Sequence, residues 1–307
     1  MAELLSPLQD AREPAQASGS EAANPLGLDG LEFVEYATDK PQALGQVLEM
    51  MGFVPTARHR SREVTLYRQG AINLVVNAHP HEARSASDTE GHPSIHAMAL
   101  RVRNARAARA YVLARGGWEV PSHPDAMELN IPAIHGVGGS RIYLVDRYQK
   151  FSIYDVDFDP IPGAQPQPPC LPGLQVFGLV QYIGMGRSFD WLEFYQTLLG
   201  CSAVPEGQRF GILPAGRLLR VPGLSAQTGF MLQLVEPTFD APDPQERLQR
   251  LGLGVPDVLA AVQALRARGV EFVENDALRS DARGALTKTY LGSVAFELVP
   301  SVAPVLP

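Results

Sequence analysis

The second half of this sequence lacks histidine. All seven histidines of the 307-residue chain precede residue 136, and the stretch from residue 136 to residue 307 has none. Imidazole is a usual ligand of zinc and non-haem iron in proteins. A metal site in the second half would therefore have to form without it. The seven are His59, His79, His81, His92, His96, His123 and His135.

Cysteine and long apolar runs are also scarce. Cys170 and Cys201 are the two cysteines, which make no disulfide framework and favour a reducing, cytoplasmic location. The first residues, MAELLSPLQD, have neither the basic start nor the apolar run of a secretory signal. No apolar stretch reaches the ~18 residues that a membrane span requires, so no membrane partner is expected.

Basic clusters are missing as well. The chain has 26 Lys and Arg against 33 Asp and Glu, for a net charge of -7. An acidic balance without a Lys/Arg run argues against nucleic acid as a partner. The remaining composition, 45% hydrophobic and 19% charged, is that of a globular protein.

Composition divides the chain into four segments. Residues 1–29 are rich in Ala, Ser, Pro and Gly and predict a disordered tail. Residues 159–173, DPIPGAQPQPPCLPG, contain six prolines, which forbid a continuous helix or a central strand and predict a linker. The other two segments, 30–158 and 174–307, each have the length of an ordinary domain.

Both predicted domains begin with a similar strand and helix. LEFVEYAT (31–38) resembles FGLVQYIG (177–184), and each stretch alternates as a strand does. An amphipathic helix is predicted after each, ending at Gly52 in the first domain and at Gly200 in the second.

The later part of each domain repeats the scheme. SIHAMALRV (94–102) precedes a predicted helix ending at Gly117, and LQRLGLGV (248–255) precedes one ending at Gly269. Short strand-like runs follow, among them FSIYDVDF (151–158). The pattern predicts an α+β protein of four modules, each with one strand, one helix and about three further strands.

Several long phrases of the chain resemble a known family. LEFVEYATDKPQALGQVLEMMGFVPTARHR, MELNIPAIHGVGGSRIYLVDRY and FSIYDVDF resemble the amino-terminal domain of the 4-hydroxyphenylpyruvate dioxygenase family. GRSFDWLEFYQTLL, LQRLGLGVPDV and VAFELV resemble its carboxy-terminal domain more weakly. The resemblance implies four β-α-β-β-β modules, paired into two vicinal-oxygen-chelate half-barrel domains.

The resemblance also implies where a metal would lie. Members of the family hold Fe(II) in the carboxy-terminal half-barrel with two histidines and one glutamate. Carried onto this chain, the glutamate falls on Glu297 and the second histidine on Arg250. The first histidine falls on Gly178 or Leu179, depending on one gap. Gln181 and Tyr182 are near that slot but supply no imidazole.

These replacements predict a degenerate metal site. Arginine is a permanent cation without a lone pair, so neither Fe(II) nor another cofactor is expected. Arg250 and Glu297 are instead predicted to face the concave side of the second half-barrel and to form an ion pair. The alternative is that both are independent charges facing solvent.

Three functions fit this sequence. The first is a metal-free binder of a small aromatic or keto acid, with Arg250, Glu297, Gln181 and Tyr182 as candidate contacts. The second is an active Fe(II) 4-hydroxyphenylpyruvate dioxygenase, which forms homogentisate in tyrosine catabolism. The third is a non-catalytic interaction subunit. All three functions are compatible with a homo-oligomer.

Other polar residues have simpler interpretations. The stretch HPHEARSASDTEGH, which begins at His79, predicts a solvated loop rather than a zinc site. His96 is predicted to be a buried or half-buried strand residue. Glu32 and Glu35 on the first strand are predicted to be packing or surface residues, and GVGGS (136–140) is predicted to be a turn.

Overall fold

One mixed sheet dominates the computed structural model of the chain. The model describes residues 23–78, 91–121, 128–205, 211, 216–225, 227–238, 245–275 and 278–301. The strands are β1 (Leu31–Ala37), β2 (Val54–His59), β3 (Val64–Gln69), β4 (Ile72–Asn77), β5 (Ser94–Arg101), β6 (Ala133–His135), β7 (Arg141–Val145), β8 (Phe158–Pro160), β9 (Gln175–Tyr182), β10 (Ser202–Ala203), β11 (Arg217–Val221), β12 (Phe230–Val235), β13 (Arg247–Val255), β14 (Ala285–Leu286) and β15 (Phe296–Pro300). The helices are α1 (Pro41–Met50), α2 (Ala105–Leu113), α3 (Ile153–Asp157), α4 (Ser188–Leu199) and α5 (Val258–Arg266).

The element order agrees with the predicted modules in part. The order β1-α1-β2-β3-β4 recurs as β9-α4-β10-β11-β12, as the repeat predicts. After α2, β6 pairs with β7, and the next strand, β8, pairs with β2 of the preceding module; after α5, the described residues form the pair β14 with β15. The isolated bridges Glu119–Ile134 and Phe272–Thr287 add one single-residue pairing to each of these parts. The α+β class therefore stands, and the complete four-module arrangement is not confirmed.

Residues 153–157 correct a prediction. FSIYDVDF was predicted to be a strand, but its middle forms helix α3 and only Phe158 continues into β8. A capping box explains the helix, because the Asp155 carboxylate accepts hydrogen bonds from the Ser152 amide at 2.7 Å and the Ser152 hydroxyl at 2.8 Å. The helix places Asp157 against the sheet, where it is buried.

The longer helices begin and end as their sequences predict. The Asn104 side chain caps α2 by accepting from Ala107 N at 2.8 Å, and Asp257 caps α5 in the same way at 2.9 Å. Helix α4 ends at Gly200, whose φ of 70° is the left-handed conformation that glycine adopts without strain. Their apolar faces cover one side of the sheet and build the main hydrophobic core.

The sheet is continuous between the amino-terminal part (residues 23–160) and the carboxy-terminal part (residues 175–301). Strands β5 and β13 pair through Ile95 and Leu248. Beside this junction, the predicted GVGGS turn is confirmed as a single 3-10 turn, Val137–Gly139. An ideal Cβ on Gly138 would lie 1.9 Å from the backbone oxygen of Glu246, so the two parts approach closely only because this residue is glycine.

Two predicted boundaries look different in the structure. Residues 1–22 of the predicted tail lie outside the described residues, but Leu26 and Leu28 are buried in the core, so a tail that extends to residue 29 is wrong. The proline-rich segment has no helix between residues 161 and 173 and lies against β3. There Gly70 N donates to Pro168 O at 3.2 Å, and Leu171 N donates to Gln69 Oε1 at 3.2 Å.

The helices that the structure describes are short. The longest of them, α4, has 12 residues. Within the part of the chain that the structure describes, no helix combines the length and the apolar character that a bilayer crossing needs.

Candidate functional site

Three adjacent strands bring the proposed ligand slots together. On β13, Gly252 lies opposite Gly178 of β9 and also opposite Glu297 of β15. Arg250 is two residues before Gly252 on the same strand, so the two share one face of the sheet. Arg250 lies opposite Val180. The slots therefore converge on one face of the carboxy-terminal part.

Arg250 and Glu297 form a buried ion pair. Arg250 Nε donates to Glu297 Oε2 at 3.2 Å, and the two side chains are 7% and 5% exposed. The predicted contact is confirmed, and the alternative of two solvent-facing charges is wrong. At this burial each charge requires its partner, because an unpaired ion inside a protein carries a large desolvation cost.

The space beside the pair is small. A cavity of about 20 Å³, called here the carboxy-terminal cavity, is lined by Gly178, Val180, Met231, Gln233, Gly252 and Glu297. Gly211 also approaches the pair closely, since an ideal Cβ on this residue would lie 2.1 Å from Glu297 Oε1. This volume holds about one water molecule.

The register also decides between the two candidates for the first histidine slot. Leu179 is 1% exposed and belongs to the main core, on the opposite face from Arg250. Gly178 faces the cavity, but an ideal Cβ on it would lie only 2.2 Å from the backbone oxygen of Met231. This backbone therefore has no room for any side chain at the slot.

These residues do not fit Fe(II). A non-haem iron site requires two neutral nitrogen ligands and a carboxylate with open positions on one side. Here the first slot has no side chain, the second carries a guanidinium, and the carboxylate of Glu297 is held by that guanidinium. In the described stretches, no group of three or more His, Cys, Asp or Glu is placed to hold a metal ion.

Gln181 and Tyr182 differ in position. Gln181 is fully buried on the helix side of the sheet, where the Tyr195 hydroxyl of α4 donates to its Oε1 at 2.7 Å, so it faces away from Arg250. Burial raises the pKa of that Tyr195 hydroxyl. Tyr182 is half-buried and lies under the Arg247 guanidinium. The guanidinium carbon of Arg247 is 4.9 Å from the centre of the tyrosine ring.

The amino-terminal part holds a larger cavity that the sequence did not reveal. Its volume is about 270 Å³, and it lies on the face of the sheet that carries Phe33 and Tyr143. His59, Glu35 and Asp157 line it. No pattern in the sequence indicated this group, because the Asp157 position depends on helix α3, which was predicted to be a strand.

The remaining histidines and cysteines form no site among the described residues. His79, His81 and His123 lie outside the described residues. His96 is half-buried in β5 as predicted, and burial lowers its pKa to about 4, with Arg141 acting in the same direction. Burial raises the pKa of the Cys201 thiol to about 12, so this thiol is not an activated nucleophile.

Comparisons with known proteins agree with this architecture. The family model described as "Hydroxyphenylpyruvate dioxygenase, HPPD, N-terminal" matches residues 22–159. A 4-hydroxyphenylpyruvate dioxygenase of Pseudomonas aeruginosa is 37% identical over 268 residues, which are 82% of this chain and 73% of the relative. A 3-dehydroshikimate dehydratase of the same organism is 43% identical over 134 residues, which are 42% of this chain and 21% of the relative.

A solved structure extends the match to the whole fold. A triple mutant of 4-hydroxymandelate synthase from Streptomyces coelicolor superposes with a TM-score of 0.69 at 18% identity, covering 89% of this chain and 93% of the other. The sequence match over most of both chains establishes the relationship, and the superposition agrees with the fold. The chain belongs to the 4-hydroxyphenylpyruvate dioxygenase family.

Proposed function

We propose that this chain is a metal-free member of its family that binds a small aromatic or keto acid and does not oxygenate it. The observation that supports the proposal is the Arg250–Glu297 ion pair, whose Nε–Oε2 distance is 3.2 Å. By the resemblance, the pair stands at two of the positions where the family holds Fe(II), and a guanidinium repels a divalent cation as well as failing to coordinate it.

Arg250 also gives the acid its point of attachment. A planar guanidinium binds a carboxylate with two parallel hydrogen bonds, and the carboxylate of a keto acid matches that geometry. The carboxy-terminal cavity of about 20 Å³ cannot take an aromatic ring beside the intact pair. The acid therefore binds Arg250 only by replacing Glu297, whose carboxylate must then take up a proton or reach solvent, because it is not stable when buried without a cation.

Parts of this chain's sequence recur in relatives that are named for different reactions. One relative is named as a dioxygenase and another as a dehydratase. Since function depends on the site rather than on the fold, the donor set at the ligand slots carries more weight than the shared frame.

The first test measures metal. After anaerobic loading with Fe(II) and removal of free ion, we expect much less than one iron per chain and no oxygen uptake with 4-hydroxyphenylpyruvate. The Pseudomonas aeruginosa relative, treated in parallel, is the control for the loading procedure. One tightly held iron per chain together with substrate-dependent oxygen uptake contradicts the proposal and supports an active dioxygenase.

The second test measures the ligand. We expect phenylpyruvate to raise the melting temperature in a concentration-dependent way, because a ligand of the folded state stabilises it. The rise should disappear in the Arg250→Met, Glu297→Gln double variant, which keeps the volume of the pair and removes its charge. No rise in the unmodified protein contradicts acid binding and leaves a non-catalytic interaction subunit as the better function.

A further inference from the structure

The amino-terminal cavity has both aromatic and charged residues in its walls. At about 270 Å³ it is more than ten times the volume of the carboxy-terminal cavity. Pockets for small ligands begin at roughly 300 Å³, so this one suits a molecule of about one ring. It is remote from the slots of Arg250 and Glu297, and no contact of that pair lines it.

Aromatic and aliphatic side chains form its walls. The rings of Phe33 and Tyr143 lie 5.8 Å apart, inclined at 45°. Phe158 meets the His59 ring at 5.1 Å and the Tyr154 ring at 5.6 Å, in edge-on contacts. These side chains give an aromatic ring apolar surface to contact, beside the charged residues that also line the cavity.

Most charges in the cavity already have partners. Arg62 donates hydrogen bonds to both carboxylate oxygens of Glu128, from Nε to Oε1 at 3.0 Å and from Nη2 to Oε2 at 2.7 Å. This is the bidentate geometry that gives the strongest guanidinium–carboxylate pairs. An acidic ligand would have to break this pair to use Arg62.

The other charged residues of the wall are engaged in the same way. Asn77 Nδ2 donates to Glu35 Oε1 at 2.9 Å. Arg141 Nη1 donates to the Tyr143 hydroxyl at 3.3 Å. A ligand that carries a net charge of either sign therefore meets groups whose bonds are already made.

His59 offers a hydrogen-bond donor to the cavity. Its Nδ1 accepts a hydrogen bond from Ser61 N at 3.3 Å, which places the ring proton on Nε2. The Nε2 atom is 3.9 Å from Glu128 Oε1, beyond hydrogen-bond distance. Burial lowers the pKa of His59, so the neutral ring with its Nε2 proton predominates near neutral pH.

Asp157 offers an acceptor to the same cavity. Its Oδ1 accepts from Leu129 N at 3.1 Å, whereas its Oδ2 accepts no hydrogen bond from any residue that the structure describes. Its side chain is buried, and burial raises its pKa. Asp157 and His59 both line the cavity, and Asp157 directly precedes Phe158, the residue that pairs with His59 on the neighbouring strand.

One chemical group complements both atoms. A hydroxyl donates one hydrogen bond and accepts another, so a single hydroxyl can donate to Asp157 Oδ2 and accept from His59 Nε2. The apolar walls leave room for a ring attached to it. We propose that the amino-terminal cavity binds a neutral hydroxylated aromatic molecule of the phenol class, with its hydroxyl between His59 and Asp157.

The test compares two molecules that differ at the hydroxyl. In p-cresol the hydroxyl is present, and in 4-methylanisole it is methylated and cannot donate. Ligand-observed NMR titrations give a dissociation constant for each. We expect p-cresol to bind about tenfold more tightly or better, the effect of one buried hydrogen bond to a charged acceptor.

Two variants locate the site independently of each other. Asp157→Asn keeps an oxygen for Leu129 N and turns the other position into a donor, so p-cresol should lose about tenfold in affinity and its advantage over 4-methylanisole. Ala133→Leu fills the cavity from a buried position on its wall and should abolish the binding of both molecules. A single unfolding transition at an unchanged or higher temperature shows that each variant folds.

The outcomes separate this proposal from acid binding at Arg250. Phenylpyruvate should not displace p-cresol, because the two sites lie in different parts of the sheet. Equal affinities for p-cresol and 4-methylanisole overturn the proposal, as does p-cresol binding that survives Ala133→Leu. Absence of p-cresol binding up to its solubility limit overturns it as well, whatever phenylpyruvate does.

Discussion

At the residue scale, Arg250 determines what the ligand slot at residue 250 can bind. In its place the family's histidine would give a lone pair, and the guanidinium gives a permanent charge that Glu297 must neutralise. We expect Arg250→Met to lower the free energy of unfolding by about 3–5 kcal/mol, since it leaves a buried carboxylate without a cation. Adding Glu297→Gln should recover part of the loss. Urea unfolding of the two single variants and the double variant measures the coupling.

An exposed ion pair is the matched control. Lys288 Nζ lies 3.0 Å from Glu271 Oε2, and the two side chains are 57% and 63% exposed. Lys288→Met should therefore cost less than about 1 kcal/mol. If Arg250→Met costs no more than Lys288→Met, the buried pair does not hold the strands together, and its charges are not what replaced the metal.

The sequence could predict this pair but not the amino-terminal cavity. The resemblance located Arg250 and Glu297 on converging strands, and the absence of histidine after His135 is visible in the sequence alone. The neighbouring positions of His59 and Asp157 depend on the pairing of β2 with β8 and on helix α3. Strand-like alternation in FSIYDVDF concealed that helix, because a capping box of two residues outweighs the periodicity of so short a segment.

Strand β9 matters at the element scale because it carries a glycine where a ligand would stand. Gly178 on β9 lies directly opposite Gly252 on β13, so substitutions at the two glycines can be compared with each other. An ideal Cβ built on Gly178 would lie 2.2 Å from the backbone oxygen of Met231. An ideal Cβ built on Gly252 would lie 3.4 Å from its nearest neighbouring atom. We expect Gly178→Ala to destabilise the protein by about 1–3 kcal/mol through overpacking and Gly252→Ala to have a smaller effect or none. Thermal or urea unfolding of both variants measures the difference.

Equal effects of the two alanines would show that β9 and β12 can move apart, and that a histidine at residue 178 is not sterically excluded. The repeat in the sequence predicted this strand and its helix, but not the closeness of Met231. Amino-acid patterns report which residues are buried, whereas contacts between backbones depend on the register of strands far apart in the sequence.

At the scale of the whole molecule, His96 makes the stability of the protein depend on pH at the junction between its two parts. It follows Ile95, the residue through which β5 pairs with β13 and joins the two parts. Burial, aided by Arg141, lowers its pKa from 6.5 to about 4 in the folded protein. The folded state therefore resists protonation more than the unfolded state does. The stability due to neutral His96 is complete above the unfolded pKa and is lost as pH falls from about 6.5 to about 4.

We expect the unmodified protein to lose up to about 3 kcal/mol of stability through His96 over that interval, since a tenfold difference in proton affinity between the folded and unfolded states corresponds to ~1.36 kcal/mol. His96→Gln should show a shallower decline, because glutamine does not titrate. Burial lowers the pKa of His59 too, so His59→Gln should reduce the slope by a smaller amount.

Urea midpoints at several pH values between 8 and 4 measure each curve, and the difference at pH 8 isolates the packing cost of each substitution. Parallel curves for the unmodified protein and His96→Gln would mean that His96 is protonated in the fold as readily as in the unfolded chain, and that acid weakens the sheet through other groups.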